Sequence, residues 1–187
     1  MEHYYKTLEG NFTFPDYYSW VAAQMVGRRS PRLVEVGCLS GQSAAFLGVE
    51  LINRGIKGKL DLVDVFTYGG TKAQVLANLA PIAEVLGDAH ECLSWDGAAK
   101  YEDHSLDFVF IDANHALETV SRDIDSWRHK VRRGGILGGH DFCAFENFGV
   151  MQAVNERFAR FEVWPGITYG GDAQMQGKYW PCWSVFL

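Results

Sequence analysis

The stretch RLVEVGCLSGQS, residues 32–43, decides the fold. Its first half, RLVEVG, is rich in branched apolar residues and predicts a short β-strand. Gly37 and Gly41 then bound a turn, and beyond it the sequence predicts a helix. A strand that passes through a glycine turn into a helix is the opening half of a unit in which a crossover helix joins two parallel strands.

The same alternation continues along the chain. Further β-rich segments, each followed by a segment with helical periodicity, are KLDLVDVF (59–66), AHECLS (89–94), LDFVFID (106–112) and GGILGG (134–139). After LDFVFID, apolar residues recur at steps of four and three and predict one buried stripe, made of Val120, Ile124, Trp127 and Val131. Apolar strands joined by helices predict a parallel sheet that is covered on both faces.

The end of the chain differs from this pattern. After a helix predicted around 150–159, the strand-like segments RFEVWP (160–165) and YWPCWSVFL (179–187) follow with no helix between them. Two such strands are expected to pair antiparallel. The sequence therefore predicts an α/β fold with a doubly wound, Rossmann-like sheet of seven strands, five of them parallel and two in a C-terminal antiparallel hairpin. We expect a single domain over 1–187, with residues 1–30 as a helical lid or cover.

Composition limits the class of partner. The chain has 187 residues, 48% of them hydrophobic, and a net charge of −6, which is typical of a globular protein and disfavours nucleic acid as the main partner. Its four cysteines form no Cys-x-x-Cys pair and fit a reducing compartment. No secretory signal and no apolar run of ~20 residues is visible, so we expect a cytoplasmic protein without a membrane partner.

Polar residues concentrate directly after the predicted strands. In open α/β sheets, ligands bind outside the carboxyl ends of the strands. The residues at those ends are Gly37–Ser43, Asp64, Ser94–Asp96, Asp112–His115 and His140–Asp141. These positions are therefore the candidate ligand site.

The glycine turn disfavours a dinucleotide. Leu39 stands where the dinucleotide fingerprint has its middle glycine, and Glu35 places a negative charge where phosphates would be repelled. A nicotinamide-dependent oxidoreductase is therefore disfavoured, and a ligand with an ammonium or sulfonium charge fits better. The alternative is a tight turn with a buried capping glutamate. Asp64 follows Gly41 by 23 residues, close to the offset at which an acid binds ribose hydroxyls. A ribose without a pyrophosphate, beside a positive charge, describes S-adenosylmethionine.

Several segments together resemble a known family. The chain is similar to the class I S-adenosylmethionine-dependent methyltransferases, and most of all to the small subgroup that includes metal-dependent sugar O-methyltransferases. Besides VEVGCLSGQS, the segments that carry the resemblance are EGNFTFPDYY (9–18), LDFVFIDANH (106–115), DIDSW (123–127), GGILGGHDF (134–142) and GVMQAVNERF (149–158).

The resemblance assigns expected roles in cofactor binding. The methionine part of the cofactor would be held by Glu35, Gly37, Gly41 and Ser43. Asp64 would bind the ribose, and Ser94 and Trp95 would lie by the adenine, with Asp112 also at the cofactor. For Trp95 the alternative is an aromatic at the rim that closes the core.

The resemblance also implies a reaction centre. Some members of the subgroup hold magnesium with acids after the fourth and fifth strands, here Asp112 and Asp141, and use a histidine base, here His115. His140 stands where relatives that use a metal often have another acid. As a third ligand it would favour manganese, iron or zinc over Mg²⁺, and otherwise no metal binds. The alternative is structural: Asp112 and Asn114 would cap a helix that begins near His115.

The expected activity is O-methylation of a hydroxyl on a small acceptor such as a sugar or polyol, with His115 as base and Asp112 orienting the reaction. An N-methyltransferase, a metal-independent relative and a catalytically idle cofactor-binding scaffold remain alternatives. The polar segment TYGGDAQMQGKY (168–179) is expected near the site edge, where it would help to select the acceptor. Because no cap domain follows the fifth strand, the acceptor site is either shallow or completed by another subunit of a homo-oligomer.

Overall fold

The computed structural model describes residues 1–166 and 180–187, and within these ranges the chain forms one seven-stranded sheet. Its strands are β1 Arg32–Val36, β2 Lys59–Asp64, β3 Leu86–Glu91, β4 Leu106–Ile111, β5 Val131–Gly139, β6 Glu162–Trp164 and β7 Cys182–Phe186. The segment 168–179, predicted to help select an acceptor, lies outside the described residues.

The strand order is β3-β2-β1-β4-β5-β7-β6. Strands β1 to β5 are parallel, whereas β7 is antiparallel to both β5 and β6. The predicted fold class, with five parallel strands and a C-terminal antiparallel hairpin, is confirmed. The order reverses between β1 and β4, and the carboxyl ends of these two strands therefore flank the switch point where such sheets bind ligands.

Helices cover both faces of the sheet. They are α1 Pro15–Gln24, α2 Gln42–Asn53, α3 Lys72–Asn78, α4 Ser94–Ala98, α5 Leu117–Trp127 and α6 Val150–Arg157, with short 3₁₀ helices at Tyr5–Thr7 and Ala80–Ile82. Strand β4 shows why both faces need cover. Its Phe108 and Phe110 pack with α1 and α2, while Val109 and Ile111 pack with α5 and α6. Every residue of β4 is buried.

Some predicted boundaries are wrong by a few residues. Strand β3 begins at Leu86, three residues before the predicted AHECLS, and β5 begins at Val131 because this residue pairs with Leu106 of β4. Helix α5 begins at Leu117 after the N-cap Ala116, which has no side-chain cap. Asp112 therefore does not cap it, whereas Asn114 Oδ1 accepts a hydrogen bond from the Ala116 amide at 2.8 Å, just before the helix.

The N-terminal residues pack against the sheet. Tyr17 and Tyr18 of α1 are fully buried, and both rings contact Phe108 and Phe110. None of the helices in the described ranges combines the length and the apolar character needed to cross a membrane.

Candidate functional site

A cavity of about 710 Å³ lies at the carboxyl ends of β1, β2, β4 and β5. This volume is within the range of pockets that hold drug-sized ligands. Most of the predicted site residues line it: Gly37, Ser43, Asp64, Ser94, Trp95, Asp112, His115, His140 and Asp141. Glu35 and Gly41 do not lie on its wall. The sheet therefore brings together residues that are far apart in the sequence.

The glycine turn is shaped by close backbone approach. Gly37 has a φ of +84°, and a Cβ atom there would overlap the carbonyl oxygen of Asp112. Leu39 also adopts a left-handed conformation, with a φ of +47°. The Asp64 carboxylate stabilises this turn, because its Oδ2 accepts hydrogen bonds from the amides of Cys38 (2.7 Å) and Leu39 (3.3 Å). Asp64 thus holds the loop in addition to facing the cavity.

Glu35 lies behind the cavity wall. Its side chain is buried on the face of β1 that contacts α1, and its Oε2 accepts a hydrogen bond from the Tyr18 hydroxyl at 3.0 Å. Its Oε1 accepts a second hydrogen bond from the Ser43 hydroxyl. Burial raises the pKa of Glu35 to about 8, although both hydroxyls oppose the shift. Glu35 therefore reaches the cavity only through Ser43, as the alternative of a buried glutamate at a tight turn predicts, and its role in binding stays a prediction.

An acid and histidine cluster forms the opposite side of the cavity. His115 Nε2 lies 2.7 Å from Asp141 Oδ2, and one ligand atom from each of Asp112, His115 and Asp141 lies within 4.8 Å of the others. His140 is buried; its Nδ1 lies 3.2 Å from Asp141 Oδ1, and its Nε2 lies 2.9 Å from Thr13 Oγ1. The backbone of Asp141 has a φ of +57°, a strained conformation of the kind that often occurs at functional sites.

The charges in this cluster depend on one another. Burial alone would lower the pKa of His115, but the hydrogen bond and the charge of Asp141 outweigh it and raise that pKa above its usual value. Burial would also lower the pKa of His140, but the carboxylates of Asp112 and Asp141 outweigh it and raise that pKa. Burial disfavours the charge on Asp141, yet the two histidines hold its pKa well below the usual range. The cluster therefore favours ionised carboxylates and makes each imidazole a stronger proton acceptor than a free histidine.

The donor set of the cluster fits a divalent cation. Two carboxylates and one imidazole are suitable ligands for manganese, iron or zinc, and the carboxylate oxygens also suit Mg²⁺. His115 is the histidine whose ligand atom groups with both acids. If its nitrogen bound a metal, the same nitrogen could not accept a proton, so the two roles exclude each other.

A different end of the cavity is formed by α4 and α5. The Trp127 indole N–H donates to the Ser94 hydroxyl at 2.9 Å. The guanidinium carbon of Arg122 lies 3.7 Å from the centre of the Trp95 ring and covers one of its faces. Trp95 thus has a cation on one side and contributes to the cavity wall, where the sequence predicts the adenine.

Sequence reasoning missed three kinds of residue on the cavity wall: the buried Asp123, Thr13 of the N-terminal segment, and the aromatic residues Phe145, Phe148 and Trp180. The Phe148 ring stacks on His115 with a centroid distance of 4.1 Å. Asp123 alone had a readable signal, because it falls within the predicted apolar stripe of α5, where a carboxylate is unusual.

A family described as "Methyltransferase domain" matches residues 34–142, which is more than half of the chain. No curated protein matches.

Several solved structures share the fold. A SAM-dependent O-methyltransferase from Thermotoga maritima has 17% identity and a TM-score of 0.64, over 96% of this chain and 68% of that one. A precorrin-6y C5,15-methyltransferase from Geobacter metallireducens has 10% identity and a TM-score of 0.65, over 92% and 89%. An rRNA methylase from Streptococcus thermophilus has 11% identity and a TM-score of 0.62, over 92% and 95%. At these identities the likeness is one of fold.

Proposed function

Because the chain belongs to this methyltransferase-domain family, we propose that it transfers the methyl group of S-adenosylmethionine to a hydroxyl oxygen of a small acceptor such as a sugar or polyol. The observation that carries the proposal is the cavity itself. It joins the glycine turn and Asp64 to the cluster of Asp112, His115 and Asp141 in one space. A cofactor site next to a candidate base is the arrangement that methyl transfer needs.

The cofactor would lie along the glycine turn. In this proposal Asp64 accepts hydrogen bonds from the ribose hydroxyls, and Ser43 contacts the methionine part. The buried Glu35 would act on the methionine part through Ser43: the Ser43 hydroxyl donates to Glu35 Oε1, so its oxygen is oriented to accept a hydrogen bond from the ammonium group. Gly37 and Gly41 allow the backbone to turn closely beside the ligand, and Ser94 and Trp95 would lie by the adenine.

His115 would act as the base. In an in-line displacement, the acceptor oxygen forms a bond to the methyl carbon while the bond between sulfur and methyl breaks, leaving S-adenosylhomocysteine. The acceptor proton passes to His115 Nδ1, while His115 Nε2–H donates to the adjacent Asp141 carboxylate, which stabilises the imidazolium that results. Asp112, on the neighbouring strand end, would orient the acceptor and the cofactor.

A divalent ion, Mg²⁺ or a softer metal, is the finer part of the proposal. Asp112 and Asp141 would hold it, with His140 as the predicted third ligand. When bound, such an ion lowers the pKa of a coordinated hydroxyl. The metal-independent alternative also has support, because both oxygens of Asp141 already face histidines.

We further propose that the partner is a small molecule rather than nucleic acid, because a net charge of −6 is unsuited to a phosphate backbone.

Residues 1–30 would cover the cofactor: Gly10 to Phe14 line the cavity, and the Phe12 amide donates to Gln42 Oε1 at 2.8 Å.

Calorimetric titration of S-adenosylmethionine and S-adenosylhomocysteine into the purified protein, with and without Mg²⁺, tests the proposal. We expect micromolar binding that Asp64→Ala weakens, since this change removes both the ribose acceptor and the anchor of the turn. Asp103→Ala, on the exposed surface, is the control. If the unmodified protein binds neither compound, the proposed function is wrong. Binding without turnover on any hydroxylated acceptor would favour the idle scaffold.

A further inference from the structure

Asp123 on α5 is a buried carboxylate without a regular partner. Its relative exposure is 0%, and neither of its oxygens makes a hydrogen bond of acceptable geometry to any residue that the structure describes. The residue nevertheless lines the cavity. An unpaired buried carboxylate costs free energy, so its presence calls for a donor other than the residues that the structure describes.

The neighbours of Asp123 do not supply that donor. The nearby Ser94 hydroxyl lowers the pKa of Asp123, but its geometry is not that of a regular hydrogen bond. The Ser94 oxygen also accepts a hydrogen bond from the Trp127 indole N–H. The Arg122 guanidinium lies over the Trp95 ring. Burial raises the pKa of Asp123 to about 6 in spite of both groups, so the carboxylate is mainly ionised near neutral pH. It is therefore an acceptor.

We propose that Asp123 accepts a hydrogen bond from the exocyclic amino group of the cofactor's adenine and so selects an amino-bearing base. This inference rests on the proposed function, in which the ribose lies at Asp64 and the ammonium near Glu35. The amino group is then the remaining strong donor of the cofactor. Trp95 lines the same cavity and offers a flat surface against which a purine would pack.

A hydrogen bond to a charged group has a definite signature in analogue binding. Replacing the adenine amino group by hydrogen removes the donor and leaves Asp123 unpaired. The unmodified protein should therefore bind S-adenosylhomocysteine about 10- to 100-fold more tightly than the analogue that lacks the amino group.

The test is calorimetric titration of both compounds into the unmodified protein, Asp123→Leu and Asp125→Leu. Leucine matches aspartate in shape and has no acceptor, so the preference should fall to within about twofold in Asp123→Leu. Asp125 lies on the same helix with its carboxylate on Arg157, away from the cavity, and its variant should keep the full preference.

Equal affinity of the unmodified protein for S-adenosylhomocysteine and for the analogue without the amino group would overturn the inference. An undiminished preference for S-adenosylhomocysteine in Asp123→Leu would overturn it as well. In both cases, binding of S-adenosylhomocysteine would still support the proposed function. Binding of neither compound would overturn both. If Asp123→Leu does not fold, as judged by its thermal unfolding, Asp123→Asn replaces it. A neutral amide oxygen accepts more weakly than a carboxylate, so an intermediate preference is expected, and an unchanged one would contradict the proposal.

Discussion

One carboxylate serves two imidazoles in this protein: Asp141 Oδ2 lies 2.7 Å from His115 Nε2, and Asp141 Oδ1 lies 3.2 Å from His140 Nδ1. A metal ion at Asp141 would have to share or displace one of these contacts. The proposed base and the proposed metal ion would therefore compete for one side chain, and separate variants can tell their contributions apart.

The first prediction concerns His115. His115→Gln should lower turnover by about 100-fold or more, because general-base catalysis contributes on that order. Its affinity for S-adenosylhomocysteine should change little, since the proposed role of the residue is to take a proton from the acceptor. His129→Gln, at an exposed histidine, should leave both quantities unchanged. Normal turnover of His115→Gln would show that another group takes the proton.

The second prediction concerns the metal. After dialysis against a chelator, turnover should fall, and Mg²⁺ or Mn²⁺ should restore it. Asp112→Asn should raise the metal concentration needed for half-maximal activity by about tenfold or more, because a neutral amide is a weaker ligand than a carboxylate. Asp96→Asn, at an exposed acid that does not line the cavity, is the control. Full turnover of the chelator-treated protein would favour the metal-independent alternative.

The sequence predicted the sheet well because strand and helix patterns are local. The run LDFVFI carries its own signal for a strand buried on both faces, and the spacing of Val120, Ile124 and Trp127 defines the buried side of α5. The strand ends then had to meet, since parallel strands place their carboxyl ends at the same edge of a sheet.

The orientation of individual side chains was harder to predict. Glu35 alternates with Val34 and Val36 along β1, and it points towards Tyr18 on the α1 face rather than into the cavity. Which face α1 covers is set by tertiary packing that no local pattern contains. The aromatic wall around Phe148 was missed for the same reason, because its residues come together only through the loops after β5 and before β7.

The third prediction follows from the burial of Glu35. Its pKa is about 8 in the folded protein and 4.5 as an ordinary glutamate, so between these values the folded chain holds a proton that the unfolded chain releases. Because of Glu35, the free energy of unfolding should therefore fall by up to about 1.4 kcal/mol for each pH unit between about 4.5 and about 8. Above that range this residue should cause no further loss of stability.

Glu35→Gln mimics the protonated side chain and removes this dependence. Urea unfolding at several pH values should show the variant gaining stability relative to the unmodified protein as the pH rises through this window. Glu91→Gln, at an exposed glutamate, should show no such trend. If the difference in the free energy of unfolding between the Glu35→Gln variant and the unmodified protein stays constant over this pH range, folding does not raise the pKa of Glu35.

The fourth prediction concerns the close approach of β1 and β4. Gly37→Ala places a methyl group on a backbone with a φ of +84° and onto the Asp112 carbonyl oxygen. Gly55→Ala is the matched control, because Gly55 has a φ of +67° and a Cβ atom added there would have no neighbouring atom within 4 Å. Both variants should lose about 1–2 kcal/mol from backbone strain, and Gly37→Ala should lose about 1–3 kcal/mol more from overpacking. Urea unfolding measures this difference, and equal losses would show that the end of β4 shifts to accept the methyl group. In that case cofactor affinity should still fall, because Asp112 would move with it.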